Sequence, residues 1–300
     1  MIFKSRFERG EITLLKSLNA RMDLTDEEKK NFMFLKKGFD GELMFDALTV
    51  KLQSDCLVLN DLLLEVGGGR FQIDTLIIHE KLYIFEVKNY EGNCYFESGN
   101  FYSSSGVVLK NALNQLNRCE TLLRQLLQKH GFKFSTEGQV VFINPEFFLY
   151  QAPRHEPIVY TPQLNQLMKK LNSLPGKLNG KHLKLAELLV SLHITEDSYS
   201  RVRHYGFGQL RKGVLCPVCQ SFMERSGLKI LVCPSCRLEE SVDAAVLRSV
   251  EELRFLFPEM RVTTRVVEEW CGGICSPKAL GRILRLRYKA ISYRRWVYFE

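Results

Sequence analysis

The sequence predicts an α/β protein: a mixed sheet flanked by helices, then a small cysteine-bound ribbon and a basic C-terminal module resembling a winged helix. Three observations carry this. Residues 57–90 hold three short apolar runs broken by turn residues, the pattern of buried strands. Two Cys-x-x-Cys pairs lie 13 residues apart in 214–240. From Ala244 the order is helix, helix, helix, then a short aromatic strand.

The 300 residues leave room for about two domains at ~150 each. A net charge of +8 favours polyanionic partners. Nine cysteines, four of them in matched pairs, read as a metal site in a reducing compartment rather than a disulfide framework. The opening MIFKSRFERGEITLL is charged where a secretory signal needs an apolar core, and no run approaches ~20 apolar residues. The expectation is a cytoplasmic protein with no membrane partner.

Along the chain, residues 1–35 read as a charged helical extension, with Thr25 and Glu28 of TDEEKK forming a capping box. GFDGELMFDALTVKL (38–52) reads as a further helix entered through Gly38 and Gly41. LVLNDLLL (57–64), FQIDTLII (71–78) and KLYIFEVKNY (81–90) are the three strands, with GGG (67–69) and HE (79–80) between them. YEGNCYFESGNFYSS (90–104) suits a hairpin with a Ser-Gly-Asn turn. Leu109, Leu113, Leu116, Leu123 and Leu127 give a helical stripe stopped by Gly131, and GQVVFINP (138–145) a fourth strand. The expected domains are 1–35, a core at 36–150, a helical connector at 151–213, a ribbon at 214–240 and a basic module at 244–300.

The chemistry concentrates in strands two and three. Glu86 and Lys88 are two residues apart, so on a strand they share a face, and a neighbouring strand can place Asp74 beside them. Charges inside apolar strands are costly unless a metal or substrate compensates them. Two carboxylates suit a hard divalent cation such as Mg²⁺ or Mn²⁺, with the carbonyl of Val87 as a further ligand. Lys88 could activate water and stabilise charge on phosphorus. Taken alone, Glu-x-Lys fits an ordinary ion pair on a solvated face equally well.

The pattern extends to GFDGE (38–42), QID (72–74), FEVKNY (85–90) and NALNQ (111–115). In order and spacing these resemble the nuclease-related domain (NERD) family of the PD-(D/E)xK nuclease superfamily, with Ile73 standing where the superfamily name has Pro. The resemblance implies a restriction-endonuclease-like core. Asp74, Glu86 and Lys88 would be its metal and catalytic residues, supported by Glu42 and Gln115.

Cys216, Cys219, Cys233 and Cys236 supply four thiolates for tetrahedral Zn²⁺ around a β-like segment, similar to topoisomerase-type zinc ribbons. A closed four-thiolate shell is structural rather than catalytic. The remaining cysteines, Cys271 and Cys275 included, read as ordinary thiols. Residues 278–295 hold Lys278, Arg282, Arg285, Arg287, Lys289, Arg294 and Arg295 and no acid. With the preceding helix and the run YRRWVYF (293–299), this looks like a winged helix-turn-helix with phosphate-contacting cations. The sequence thus reads as a Mg²⁺- or Mn²⁺-dependent deoxyribonuclease whose C-terminal modules bind DNA. A non-catalytic nucleic-acid-binding protein or transcription regulator on the same scaffold is the alternative; a regulator accounts for the tail but leaves the charged strand unexplained.

Overall fold

The computed structural model describes residues 1–8, 10–195, 204–293 and 296–300. The chain divides into two compact units: Met1–Glu8 with Phe34–Asp197, and Arg9–Met33 with Ser198–Glu300.

Unit one is built on a six-stranded mixed sheet. Its strands are β1 (Ile2–Lys4), β2 (Leu57–Val66), β3 (Gly69–Ile78), β4 (Leu82–Lys88), β7 (Thr136–Phe142) and β9 (Ile158–Tyr160), in the order β1-β2-β3-β4-β7-β9. β2, β3 and β4 are antiparallel neighbours; β1 joins β2 in parallel, and β7 and β9 extend the sheet from β4 in parallel. Gly67 and Gly68 both have positive φ in the two-residue β2–β3 turn, the backbone that matches strand twist in a tight hairpin.

Both sheet faces are covered, and so the central strands are apolar on both sides. One face packs on α3 (Ala112–Lys129) and α5 (Gly180–Ser191) through Leu116, Leu123, Leu126 and Leu185. The other packs on Phe45 of α2 (Asp26–Thr49) and on Leu164, Leu167 and Leu171 of α4 (Leu164–Asn172). A second sheet, β6-β5-β8, joins the predicted hairpin β5 (Gly92–Glu97) and β6 (Asn100–Ser103) to β8 (Phe147–Tyr150).

The four main strands and α3 lie where the sequence predicts them, to within a few residues. Two segments differ. Residues 2–4, expected in a helix, form β1, because an unpaired edge of β2 is available to receive them. The helix expected over 38–52 is the second half of one 24-residue helix, α2, which runs through Gly38 and Gly41. Gly41 is there for packing: a Cβ would lie 2.5 Å from Cβ of Asn89. Thr25 and Glu28 do form the reciprocal cap that starts α2.

Unit two contains α1 (Gly10–Arg21), the small sheet β10 (Glu224–Ser226), β11 (Ile230–Val232) and β12 (Glu239–Ser241), then α6 (Val242–Leu256), α7 (Thr264–Trp270) and α8 (Pro277–Leu284). The predicted terminal strand is a hairpin of β13 (Ala290–Tyr293) and β14 (Trp296–Phe299), and Phe299 also bridges Val262. Arg21 is fully buried in this unit. It meets Glu252 at 2.7 Å, donates to the carbonyls of Arg211 and Gly213, and stacks 3.9 Å from the Trp270 ring. Among the described residues no helix is long and apolar enough to cross a membrane.

Candidate active site

The site forms where Asp74 is released from both of its sheet ladders. The β2–β3 register pairs Asn60 with Thr75 and Leu62 with Ile73, passing over Asp61 and Asp74. Asp61 has φ 54°, a left-handed backbone at the one interrupted position of the β2–β3 pairing. The β3–β4 ladder reaches only Thr75 opposite Phe85. The side chain of Asp74 takes over: its Oδ2 accepts the N–H of Val87 at 2.9 Å. The contact with Val87 is therefore through its N–H, while its side chain sits in the apolar cluster on one sheet face.

Glu86 and Lys88 project to one side of β4, as their spacing requires, and Lys88 Nζ lies 2.6 Å from Glu86 Oε1. Both side chains are largely enclosed, at 7% and 15% exposure. Burial, and then the charge of Asp74, push the Glu86 carboxyl up to about 7. Burial alone would lower Lys88, but the nearby carboxylates outweigh it and hold the ammonium above its ordinary range. Such tension is eased by a bound cation.

Asp74 and Glu86 line a cleft of about 610 Å³ together with Gln115, Lys110, Arg118 and Arg70. Gln115 comes from α3, whose start is set by Asn111: its side chain accepts the Asn114 N–H at 3.1 Å. The Gln115 Oε1 is buried and has no hydrogen-bond partner. A buried amide oxygen left unmatched beside two carboxylates is an oxygen donor set of the kind hard divalent cations take. The residues thus fit a hard divalent cation. Cys119 lines the same cleft, but burial and the two carboxylates raise its thiol, which disfavours the thiolate.

The structure separates Glu42 from this group. Glu42 does not line the cleft; its Oε2 is bound by Arg6 Nη1 at 2.5 Å. Arg6 is 1% exposed. It also grips both oxygens of Asp46 at 2.9 and 3.2 Å and donates to the Asp74 carbonyl at 2.6 Å. Glu42 therefore reaches the site through Arg6 and the Asp74 backbone, not through its own carboxylate. Nothing local marks Arg6 in the sequence, since β1 is three residues long and its partners are 36 to 68 residues away.

Two predictions arise here. Arg6→Met leaves Glu42 and Asp46 without their guanidinium, and about 3–5 kcal/mol of folding stability should be lost in denaturant unfolding. An unchanged midpoint would remove Arg6 from this account. The second concerns pH. The raised carboxyl of Glu86 stabilises the metal-free fold below about pH 4.5, and this is lost as pH rises through about 7, with a slope of at most ~1.4 kcal/mol per pH unit. Zinc-loaded protein in buffer free of other divalent ions should therefore lose stability over that window relative to Glu86→Gln, which cannot ionise there. Parallel stability curves for the two proteins would contradict it.

In unit two the four cysteine sulfurs of the pairs converge within 4.8 Å of one another. Sulfurs of Cys216 and Cys236 are 3.5 Å apart, and those of Cys219 and Cys233 3.3 Å, well beyond the ~2.05 Å of a disulfide. The two knuckles share one backbone design. Cys216 N–H donates to Ser221 and Cys233 N–H to Leu238; Gln220 and Arg237 N–H return to the carbonyls of Cys216 and Cys233. Gln220 and Arg237 take the same left-handed backbone, φ 61° and 62°. Hydrogen bonds from Ser221 lower the Cys219 thiol, while contacts with the neighbouring cysteines raise that of Cys236. The set suits tetrahedral Zn²⁺. Cys271 and Cys275 are buried and lie outside the cluster.

The basic tail is less one-sided than its sequence. Lys278, Arg282, Arg285, Arg287 and Lys289 are exposed, yet α6 supplies acids. Asp243 binds Arg282 at 2.8 Å, and Glu251 lies 3.6 Å from Arg287. Arg285 donates to the Gly281 carbonyl of its own helix. Arg294 and Arg295 lie outside the described residues.

A central mixed sheet flanked by helices, with two carboxylates and a glutamine lining one cleft, fits a nuclease-like scaffold. Residues 37–143 match the family described as the nuclease-related domain. The match covers Glu42, Asp74, Glu86, Lys88 and Gln115, while Arg6 and the cysteine cluster fall outside it. No curated protein and no solved structure matches the chain.

Proposed function

We propose that the protein is a divalent-metal-dependent deoxyribonuclease in which Asp74 and Glu86 hold Mg²⁺ or Mn²⁺. The observation that carries this reading is the shared cleft, lined by two buried carboxylates and by Gln115, whose Oε1 is buried and unmatched. The carbonyl of Val87 would add a ligand. When bound, the ion would supply Lewis-acid stabilisation of the phosphoryl oxygen and a more acidic water. Asp74 holds its orientation through the Val87 N–H, and Arg6 fixes the backbone behind it. Lys88, ion-paired with Glu86 at 2.6 Å, would stabilise charge that builds on phosphorus. Glu42 supports Asp74 indirectly.

Zn²⁺ on Cys216, Cys219, Cys233 and Cys236 serves as a structural staple of unit two. The order α6, a bridge at Val262, α7, α8 and a terminal hairpin supports a winged-helix reading of residues 244–300. Its cations Lys278, Arg285 and Lys289, with Arg282, Arg287, Arg294 and Arg295, would contact phosphates. The domain scheme of helical extension (1–35), core (36–150), connector (151–213), ribbon (214–240) and basic module (244–300) and a cytoplasmic setting belong to the same proposal. The test is incubation of the zinc-loaded full chain with circular and with linear DNA, with and without Mg²⁺ or Mn²⁺. Cleavage only with added divalent ion is expected. No cleavage with any ion would leave a non-catalytic nucleic-acid-binding scaffold.

A further inference from the structure

The cleft holds two cations that form no ion pair with its own acids. Lys110 and Arg118 both line it beside Asp74 and Glu86, and both are exposed. Among the described residues neither forms an ion pair with a carboxylate. Arg118 commits one nitrogen, donating from Nη2 to the Arg70 carbonyl at 2.9 Å, which fixes the guanidinium at the cleft wall and leaves the rest of its fork open. Lys88 is occupied by Glu86, and Arg70 by Glu65 at 2.9 Å.

Asn114 and Arg118 are one turn apart on the same face of α3, Lys110 lies just before the Asn111 cap of that helix, and all three line the cleft. A wall of paired cations would be a structural brace. This one forms no ion pair among the described residues and lines the cleft that also holds Asp74 and Glu86.

We propose that Lys110, Asn114 and Arg118 form a rail that holds the sugar–phosphate backbone of the DNA strand being cut, on both sides of the reacting phosphate. The inference rests on the nuclease reading above and assigns to unit one a DNA contact separate from the basic tail. The rail grips backbone and not bases, so it confers affinity and register without sequence preference.

The test uses the full zinc-loaded chain with Glu86→Gln, so that bound DNA stays intact, and measures affinity for a duplex oligonucleotide across a salt series. Adding Lys110→Ala and Arg118→Ala should flatten the log–log salt slope by about 1.8, at ~0.9 per phosphate contact, and weaken binding roughly 50-fold near ~0.1 M salt. Arg124→Ala, an exposed arginine of the same helix that does not line the cleft, should leave the slope within error. If the double substitution leaves the slope unchanged while the parent binds, the rail is wrong. If Arg124→Ala flattens it as much, net charge and not position is responsible, and the rail is again wrong. If the parent shows no salt-dependent DNA binding, the nuclease reading fails and this inference falls with it.

Discussion

Asp74→Asn and Glu86→Gln should each abolish divalent-dependent DNA cleavage, by ~10²-fold or more, while DNA affinity is kept or rises. The substitutions keep shape and remove charge. Each takes one negative ligand from the metal, and each also relieves repulsion between carboxylate and phosphate. The two should differ in detail. An amide at position 74 can still accept the Val87 N–H through its oxygen, so β3 and β4 should stay in place and the loss should be chemical. Glutamine at 86 removes the partner of Lys88 and the burdened carboxyl together, so the variant should be as stable as the wild type or more so near neutral pH. Lys88→Ala should retain the metal and still lose rate, because its ammonium would act on charge at phosphorus. Gln115→Ala should do less, since it removes one neutral ligand. Cleavage assays on folded variants, run beside metal titrations, separate these patterns. Intact Mg²⁺-dependent cleavage in all of them would place the chemistry elsewhere.

Cys216→Ser should undo the ribbon. A four-thiolate zinc site contributes ~10–16 kcal/mol of apparent folding free energy, far more than three-stranded pairing over β10, β11 and β12 can replace. Purified wild-type protein should hold one zinc per chain by elemental analysis, and the variant none. Hydrogen exchange should then rise through residues 214–241 while β2, β3 and β4 keep their protection, since they draw no ligand from the cluster. Absence of zinc from wild-type protein purified without chelators would overturn this.

The parts legible in the sequence are those with a short-range signature. Apolar runs and turn glycines mark β2, β3 and β4, the leucine stripe marks α3, and alternation along one strand places Glu86 next to Lys88. The cysteine pairs announce their own convergence, because the ligands of each knuckle are three residues apart. What stayed hidden depends on chain segments that meet only after folding. Arg6 reaches Asp74 because a three-residue strand joins the edge of β2. Glu42, expected beside the metal residues, is instead bound by a buried guanidinium. Lys110 and Arg118 sit on either side of the Gln115 motif and look like ordinary exposed cations until the cleft shows what they face. The tail reads as free of acids because Asp243 and Glu251 are far from it in sequence and return on α6.

The most direct test of the account is calorimetric titration of Mn²⁺ into the zinc-loaded full chain and into its Asp74→Asn variant. One site per wild-type chain beyond the zinc is expected, and loss of that site in the variant. Equal Mn²⁺ binding by the two proteins would contradict it, because Asp74 and Glu86 would then not be holding the metal.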